Sequence, residues 1–336
     1  MRRMRSLLAG LVLTLAWSAP VRAAEADTTA VPDADVRTLT RTSFLLPAAA
    51  ADPVAEPAGI VTDAFGRVWV SDAALHKLVR YAPDGTRLDE TGTLGSEPGQ
   101  FRRPGALARV GSLGVAVLDV ENRRVVVYDH HLRLVGSAID LTAPALESRV
   151  GRVTPVSLAA DRGGALYVAD AERDRILMFD FAGTFQRELG GFGGRAGGFS
   201  GLLAVAVDAH GGLVTVERPR GRGSKKAAPD SLAGRSRVQW LDAGGRVLRS
   251  TWLPAWPAGA GEMGVTLAVA ESGQVAVAAA RSGVVLWLAP DGTEWARADA
   301  LGSPRALTFD DHGELLVAAV GESRLLRFML IPPAAE

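Results

Sequence analysis

Arginine-rich segments are the part of this sequence whose residue types and spacing favour binding chemistry. A long arm, residues 218–237, is rich in Gly, Ser and Pro and almost free of acids. Its cations are Arg218, Arg220, Arg222, Lys225, Lys226, Arg235 and Arg237. Two shorter basic pairs are Arg102-Arg103 and Arg123-Arg124. A guanidinium matches the geometry of carboxylate and phosphate groups, so we expect these residues to contact an anionic partner. A merely solvated, flexible loop is the other interpretation of the arm.

Histidine is a common metal ligand, but the positions of the histidines in this sequence indicate turns. The sequence has five His and no Cys. None of the His residues has the close His-Glu-x-x-His spacing of a metal site. All five fall in predicted turns, namely His76, His130, His131, His210 and His312. Residues distant in sequence can still meet in the fold, so a His site assembled across the chain stays open.

Aspartates recur at one position of a repeated pattern, which favours a structural role over a catalytic one. Each of the three follows an apolar run and is followed by a cation at +5, an aliphatic residue at +6 and an aromatic residue at +9. The Asp and cation pairs are Asp72 with Lys77, Asp119 with Arg124, and Asp170 with Arg175. An Asp at a strand end accepts hydrogen bonds from turn amides. We therefore expect each cation to pair with its Asp or with the neighbouring repeat.

The elements that position these residues come from a repeat of roughly 40 to 50 residues. Six copies are recognisable. The first has the order strand, turn, strand, turn, strand, the second keeps the later half of the pattern, and the fourth is interrupted by the arm. Gly-rich connectors, such as residues 94–104 and 189–199, separate some of the copies. Helical periodicity is not sustained anywhere in the chain after its first segment. Small units of this kind bury their faces by packing around an axis, so the sequence predicts an all-β, six-bladed β-propeller, with seven blades as the fallback.

The repeat resembles a known family. Copy one reads Pro57-Ala-Gly-Ile60, Asp63-Ala-Phe-Gly66 and Val68-Trp-Val70, followed by Asp72 and a His, basic and aliphatic run. This pattern resembles the NHL repeat, over about residues 56–328. The resemblance implies a ring whose ends join by sharing one blade, which removes an open sheet edge. The candidate strands for this closure are residues 36–46 beside residues 325–331.

The same resemblance brings enzymes of this architecture into consideration. Amidating lyases with NHL-type blades hold zinc through His from several blades, together with calcium, and six-bladed lactonases hold calcium in the axial tunnel. Glu56 would take the place of the first calcium ligand, but the other blade starts offer no matching Asn. The alternative function is therefore a metal-dependent hydrolase or lyase with its site in the tunnel. Calcium or zinc is expected only under this alternative, and no cofactor otherwise.

The first segment has the form of a secretory signal peptide. Arg2, Arg3 and Arg5 precede the apolar run 7–17, and a small-residue cleavage pattern ends at Ala23. The apolar run is shorter than the roughly 20 residues of a membrane-spanning helix, and no second span follows. We therefore expect an exported protein, periplasmic or extracellular, with no transmembrane segment after cleavage.

Domain organisation follows from these segments. The predicted divisions are residues 1–23 as signal peptide, 24–55 as a tail with the candidate ring-closing strand, 56–331 as the propeller and 332–336 as a C-terminal tail.

Composition limits the class of partner. The chain is 48% hydrophobic and 22% charged, the balance of an ordinary globular protein, and its 37 basic and 37 acidic residues cancel. Such a balance gives no argument for nucleic acid as the partner. The sequence therefore predicts an exported, non-enzymatic binding scaffold whose loops recognise a protein or an acidic cell-envelope glycan. It does not predict the oligomeric state.

Overall fold

The computed structural model describes residues 39–45, 54–112, 114–191, 193, 197–218, 235–254, 264–320 and 324–330. The predicted signal peptide, most of the two predicted tails and most of the basic arm lie outside these residues. Arg220, Arg222, Lys225 and Lys226 are among the residues that are not described.

The described residues form short strands and one short helix. The strands are β1 (Leu39–Leu45), β2 (Pro57–Thr62), β3 (Val68–Asp72), β4 (Lys77–Tyr81), β5 (Arg87–Thr91), β6 (Pro104–Val110), β7 (Gly114–Asp119), β8 (Arg124–Asp129), β9 (Leu134–Asp140), β10 (Pro155–Ala160), β11 (Leu166–Asp170), β12 (Arg175–Phe179), β13 (Phe185–Gly190), β14 (Leu202–Val207), β15 (Leu213–Glu217), β16 (Arg237–Leu241), β17 (Val247–Trp252), β18 (Val265–Val269), β19 (Val275–Ala279), β20 (Val284–Leu288), β21 (Glu294–Ala298), β22 (Ser303–Phe309), β23 (Leu315–Val320) and β24 (Arg324–Leu330). The helix is α1 (Pro144–Val150).

Hydrogen bonding groups the strands into six antiparallel sheets of four, which we number as blades 1 to 6. Blades 1 to 5 are β2–β5, β6–β9, β10–β13, β14–β17 and β18–β21, and blade 6 is β22–β24 with β1. The first strand of each blade contacts the first strands of both neighbouring blades, and β22 contacts β2. The sheets therefore form a ring, and the predicted all-β six-bladed propeller is confirmed.

Alternation along the strands explains how the blades pack. In β3, Val68 and Val70 belong to the hydrophobic cluster shared with blade 6, and Trp69 between them belongs to the cluster shared with blade 2. Successive side chains of a strand point to opposite faces, so both faces of a middle strand are buried and its residues are nearly all apolar. One such cluster lies at each interface between adjacent blades.

The N-terminal strand lies beside the C-terminal strands. β1 pairs antiparallel with β24, with Leu39 opposite Leu330 and Leu45 opposite Arg324. It is therefore the outer strand of blade 6. How far the closure of the ring depends on this pairing stays a prediction.

Helix α1 is an element that the repeat pattern did not predict. It lies in the connector between β9 and β10, begins with Pro144 in its first turn and buries Leu146 and Val150. A helix of about two turns is too short to produce a visible helical period in the sequence. No helix in the described part of the chain is long and apolar enough to cross a membrane.

The antiparallel order gives the ring two distinct ends. The turns between second and third strands, and the connectors from one blade to the next, lie at one end, which we call the connector end. The turns between first and second strands, and between third and fourth strands, lie at the opposite end, which we call the hairpin end. Residues 73–76 and 92–103 are at the connector end, and residues 63–67 and 82–86 are at the hairpin end.

Candidate functional site

All the sequence-predicted arginines that the structure describes lie at the connector end. Arg102 and Arg103 are in the connector from blade 1 to blade 2. Arg123 and Arg124 lie at the turn between the second and third strands of blade 2. The described ends of the arm hold Arg218, Arg235 and Arg237, at the equivalent turn of blade 4. The fold thus brings together three segments that are far apart in the sequence.

Arg124 is committed to a buried clamp. Its Nε donates to Asp119 Oδ2 at 2.9 Å, and its Nη groups donate to the carbonyls of Ser96 at 2.6 Å and Gln100 at 2.7 Å. Asp119 is completely buried and also accepts a hydrogen bond from the Arg102 amide at 2.8 Å. The pairing of the Asp with the cation five residues later is confirmed here. Arg124 therefore fixes the connector and leaves little of its guanidinium for a partner.

The same clamp recurs in the next two blades. In blade 3, Arg175 Nε donates to the buried Asp170 at 3.0 Å, and Arg175 Nη2 donates to the Val150 carbonyl at 2.6 Å. In blade 4 the acid is Glu217, which pairs with Arg237. Burial raises the pKa of Glu217, and the hydrogen bond and charge of Arg237 oppose that rise.

The acid of blade 1 also holds a turn. The carboxylate of Asp72 accepts hydrogen bonds from the amides of Ala55, Ala74 and Leu75 at 2.6 to 3.0 Å. Lys77 Nζ is 3.0 Å from Glu90 Oε2, on the outer strand of the same blade. The acids at the ends of the second strands in blades 1 to 4 therefore each hold a turn or a connector, as the repeated Asp pattern predicts.

The other arginines of the predicted binding set differ in how exposed they are to solvent. Arg235 is half-buried and donates to the carbonyls of Leu253 and Trp252. Arg218 is half-buried, and Arg123 is half-buried with its Nη1 3.1 Å from Glu147 Oε1. Arg102 and Arg103 are exposed. The pair in the blade 1 connector is therefore the most accessible of the set.

Four further exposed arginines lie at the same end, and one of them, Arg281, is at the turn between the second and third strands of blade 5. Arg149 is on α1, Arg152 follows it in the same connector, and Arg173 is at the next turn of blade 3. We call Arg102, Arg103, Arg149, Arg152 and Arg173 the basic arc. Glu121 and Glu172 are exposed acids of the neighbouring turns.

Three residues of the arc are held by neighbouring groups. Arg103 Nη2 is 3.0 Å from Glu56 Oε1. The Arg149 guanidinium lies over the Phe185 ring, 4.9 Å from its centroid. The Arg173 guanidinium lies against Gly151, in the space that a Cβ at this position would occupy.

The sequence carried a signal for part of the arc that we did not use. Arg103 directly precedes Pro104, and Arg152 comes three residues before Pro155; these prolines begin the first strands of blades 2 and 3. Both arginines therefore lie in the connectors that lead into first strands, which the repeat pattern already locates. Arg173 lacks a comparable signal, because only the fold places its turn beside α1.

Glu56 does not fit the calcium role that the family resemblance gave it. Its Oε1 is 3.0 Å from Arg103 Nη2 and 3.4 Å from Arg305 Nη1. A carboxylate that already compensates two cations is a poor additional ligand for a divalent cation. Within the described ranges, no three His, Asp or Glu side chains are grouped closely enough to hold a metal ion.

The five histidines do not converge. His76 is at the connector end, in the left-handed region with φ of 56°, and its Nδ1 accepts a hydrogen bond from the Arg103 amide at 3.1 Å. The other four are in turns of the hairpin end. The prediction that all five occupy turns is confirmed.

A cavity opens at the hairpin end. Its volume is about 560 Å³, and it is lined by residues of the first turns of blades 2 to 6. A narrower space of about 240 Å³ continues from it along the first strands of the blades. The wider space has Arg109, Arg162, Glu271 and Asp311 in its lining.

The comparisons with known proteins agree on the fold. No protein-family profile and no curated protein matches the sequence. Among solved structures, the chain is similar to a streptogramin B lyase, with a TM-score of 0.57 and 13% identity over 87% of this chain and 98% of that chain. It is also similar to a hydrazine synthase chain of Kuenenia stuttgartiensis, with a TM-score of 0.54 and 14% identity over 86% and 99% of the two chains. The WD40 repeats of RRP9 give a TM-score of 0.54 and 12% identity over 87% and 97%.

These neighbours include enzymes and a repeat domain, and their identities are far too low to carry an activity across. The NHL pattern accordingly stays a resemblance. The comparisons show that the chain has the architecture of a β-propeller.

Proposed function

We propose that this chain is an exported, non-enzymatic binding scaffold that recognises an anionic partner, a protein or a cell-envelope glycan, through the basic arc. The observation that carries the proposal is the convergence of exposed arginines from separate segments on one end of the ring. Export is inferred from the signal-peptide pattern of residues 1–23.

The buried clamps make this surface rigid, which favours binding. The Arg124 clamp holds the carbonyls of Ser96 and Gln100, and Asp119 binds the amide of Arg102, so both ends of the blade 1 connector are fixed. The Arg175 clamp holds the Val150 carbonyl, at the end of the helix that carries Arg149. Groups that are ordered before binding lose less entropy on contact with a partner.

The chemistry of the arc fits carboxylate, sulfate or phosphate groups on a broad surface. Guanidinium groups bind such anions through paired hydrogen bonds and are less strongly hydrated than ammonium groups. Because the arc extends over two connectors and a turn, it matches a partner with several spaced anions better than a single small anion.

Affinity chromatography on two polyanions tests the proposal. Heparin supplies a sulfated glycan, and immobilised poly-L-glutamate supplies the carboxylates of an acidic protein. The test variant is Arg102→Glu with Arg152→Glu, in the arc. The control is Arg133→Glu with Arg246→Glu, whose side chains at the hairpin end are 74% and 81% exposed. Both variants change the net charge equally.

We expect the arc variant to elute at clearly lower salt than the wild type, and the control to elute close to it. Retention on heparin alone would indicate a glycan partner, and retention on poly-L-glutamate alone a protein partner. Equal loss of retention in both variants would mean that net charge, not the arc, causes binding, and would contradict the proposal.

A further inference from the structure

A funnel along the axis, open at the hairpin end, is a second candidate site and does not depend on the basic arc. Its wide part, which we call the mouth, has a volume of about 560 Å³, and its narrow part has a volume of about 240 Å³. The two parts form one continuous space, because both have Arg109, Ala160, Val207, Val269 and Asp311 in their linings. Cavities of this total size are typical of small-ligand sites.

The wall of the narrow part is formed by the first strands of all six blades. Side chains of these strands turn away from the axis into the interfaces between blades. In β10, for example, Leu158 belongs to the hydrophobic cluster shared with blade 2, and Ala159 belongs to the cluster shared with blade 4. Because successive side chains point to opposite faces of a strand, the backbone edge of each first strand is left to face the axis.

These inner edges make the narrow part polar. Each first strand pairs with a second strand along one edge, and within the described residues no strand pairs with its other edge. An unpaired strand edge presents both N–H donors and C=O acceptors. Beyond the charged residues that it shares with the mouth, the narrow part therefore offers uncharged donors and acceptors close together.

The mouth carries charges of both signs, and acids and cations are interspersed around it. Blade 3 contributes Asp161 directly beside Arg162, so no side of the mouth is purely basic. The cations in its lining are Arg109 and Arg162, and the acids are Asp161, Asp208, Glu271 and Asp311.

Two of the acids form ion pairs with the two cations. Arg109 Nη1 is 2.7 Å from Asp311 Oδ1, and Arg162 Nη2 is 2.6 Å from Glu271 Oε1. The side chains of the second pair are 69% and 78% exposed. Ion pairs this accessible to water are weak, so ligand groups that hydrogen-bond to both partners can replace them at small cost.

The other two acids hold their own turns. Asp161 accepts hydrogen bonds from the Ala165 amide and the Tyr167 hydroxyl. Asp208 Oδ1 accepts from two amides of its own turn. An ionised carboxylate can accept about four hydrogen bonds, so both keep acceptor capacity for a ligand. A charged ligand in this mouth would meet a like charge close to each opposite one.

We propose that the funnel binds an uncharged, polyhydroxylated ligand of the class of monosaccharides and short sugars. A hydroxyl group both donates and accepts, so it can pair with a carboxylate, a guanidinium, an edge N–H or an edge C=O. An ammonium group only donates and a carboxylate only accepts, so each would leave one kind of wall group without a partner. Hydrogen bonds from hydroxyls to the charged groups of the mouth supply affinity.

Calorimetric titration with four related sugars tests this site. Glucose and N-acetylglucosamine are uncharged, glucosamine has an ammonium group in place of one hydroxyl, and glucuronate has a carboxylate. We expect both uncharged sugars to bind. Each charged sugar is expected to bind about tenfold more weakly than glucose, because its charge loses hydration without gaining a site of one sign.

A blocking variant tests whether the sugar occupies the funnel. Ala209 is half-buried in the lining of the mouth, at a turn of blade 4, and Ala209→Trp fills part of the space. We expect this variant to bind glucose at least about tenfold more weakly. Ala243→Trp is the matched control, because Ala243 is exposed in the outer turn of the same blade and is not in the lining.

A second variant tests the polar groups of the mouth. Arg162→Ala with Glu271→Ala removes both partners of one exposed ion pair and leaves the net charge unchanged, so the chain is expected to fold. We expect glucose to bind about tenfold more weakly, because charge-assisted hydrogen bonds are lost. The control, Arg297→Ala with Asp299→Ala, removes an ion pair outside the funnel and keeps the affinity.

Three outcomes would overturn the proposal. The first is no detectable heat with either uncharged sugar at concentrations up to about 10 mM. The second is tighter binding of glucosamine or glucuronate than of glucose, which would mean that charges of one sign select the ligand. The third is an equal loss of glucose binding in the test variants and their controls, which would place the sugar elsewhere on the molecule.

Discussion

At the scale of single residues, the buried acid at the end of a second strand holds the neighbouring turn and connector through its arginine. Asp170 is completely buried, and Arg175 contacts it, Glu188 and the Val150 carbonyl. Replacing Arg175 by Met leaves a buried carboxylate without its cation. We expect the free energy of unfolding, measured by urea denaturation, to fall by about 3 to 5 kcal/mol.

The control for this prediction is Arg133→Met. Arg133 also pairs with an Asp, but its side chain is 74% exposed, so the change in the free energy of unfolding is expected to stay within about 0.5 kcal/mol. Equal effects of the two substitutions would show that the clamp does not stabilise the fold.

Aspartates of the hairpin-end turns give a prediction on pH. Burial acts to raise the pKa of Asp129, but hydrogen bonds from the Arg133 amide and side chain and from the His131 amide lower it below its usual 3.8. A pKa that is lowered in the folded state gives stability that is present above the unfolded pKa and is lost as the pH falls through the folded pKa. Asp242 is lowered in the same way, chiefly by the Arg246 amide.

Carbon NMR titration of the carboxyl groups measures these pKa values directly. We expect the midpoints of Asp129 and Asp242 to lie below those of the urea-unfolded chain, so the turns lose this contribution as the pH falls from the unfolded pKa through the folded one. A midpoint at or above the unfolded value would contradict the turn geometry.

At the scale of elements, the first strands of neighbouring blades approach so closely that a side chain is excluded at one position. A Cβ at position 59, in β2, would overlap the Gly105 carbonyl oxygen and lie 2.9 Å from the Leu107 nitrogen, both in β6. Gly59→Ala is therefore expected to lower the free energy of unfolding by about 1 to 3 kcal/mol, measured in urea.

Gly163→Ala is the matched control, because the nearest atom to its new Cβ is the Asp161 side-chain oxygen at 3.2 Å. Its expected effect is within about 0.5 kcal/mol. If Gly59→Ala were as harmless as the control, the two first strands would have to be further apart than described.

The N-terminal strand is the second element with a testable role. A chain that begins at residue 46 lacks β1 and exposes the edge of β24, whereas a chain that begins at residue 36 retains the pairing. We expect the shorter chain to lose several kcal/mol of the roughly 5 to 15 kcal/mol that stabilises a typical domain, and to self-associate through its open edge. Equal urea midpoints and equal elution in gel filtration would contradict ring closure by β1.

Strands and blades were predictable because their signals are local and repeated. A strand is predicted by the apolar run Val68-Trp69-Val70, and a turn by Asp63-Ala-Phe-Gly66, each within a few residues of sequence.

The candidate binding site was predictable only in part. Arg102 and Arg103 stand out as a pair, but the exposure of Arg173 and the burial of Arg237 depend on contacts between blades. The funnel charges Arg162, Glu271 and Asp311 occupy one turn position in three blades, a pattern that appears only when the repeats are aligned.

At the scale of the whole molecule, the two ends of the ring differ in chemistry. The connector end carries the basic arc, and the hairpin end carries the turn aspartates and the mouth of the funnel.

Export is a prediction that concerns the whole chain. If residues 1–23 are a signal peptide, mass spectrometry of the protein recovered outside the cytoplasm will find Ala24 at its N-terminus. An exported chain that still begins at Met1 would contradict the cleavage prediction.

The most direct test of the binding function is site-specific photo-crosslinking in a cell-envelope fraction. One crosslinker replaces Ser148, exposed at the connector end beside Arg149, and a second replaces Ala182, exposed at the hairpin end of blade 3. We predict adducts from position 148, few from position 182, and loss of the former when Arg102 and Arg152 are changed to Glu. Adducts equally abundant from both positions, or unaffected by the charge reversal, would contradict the proposal that the basic arc binds the partner.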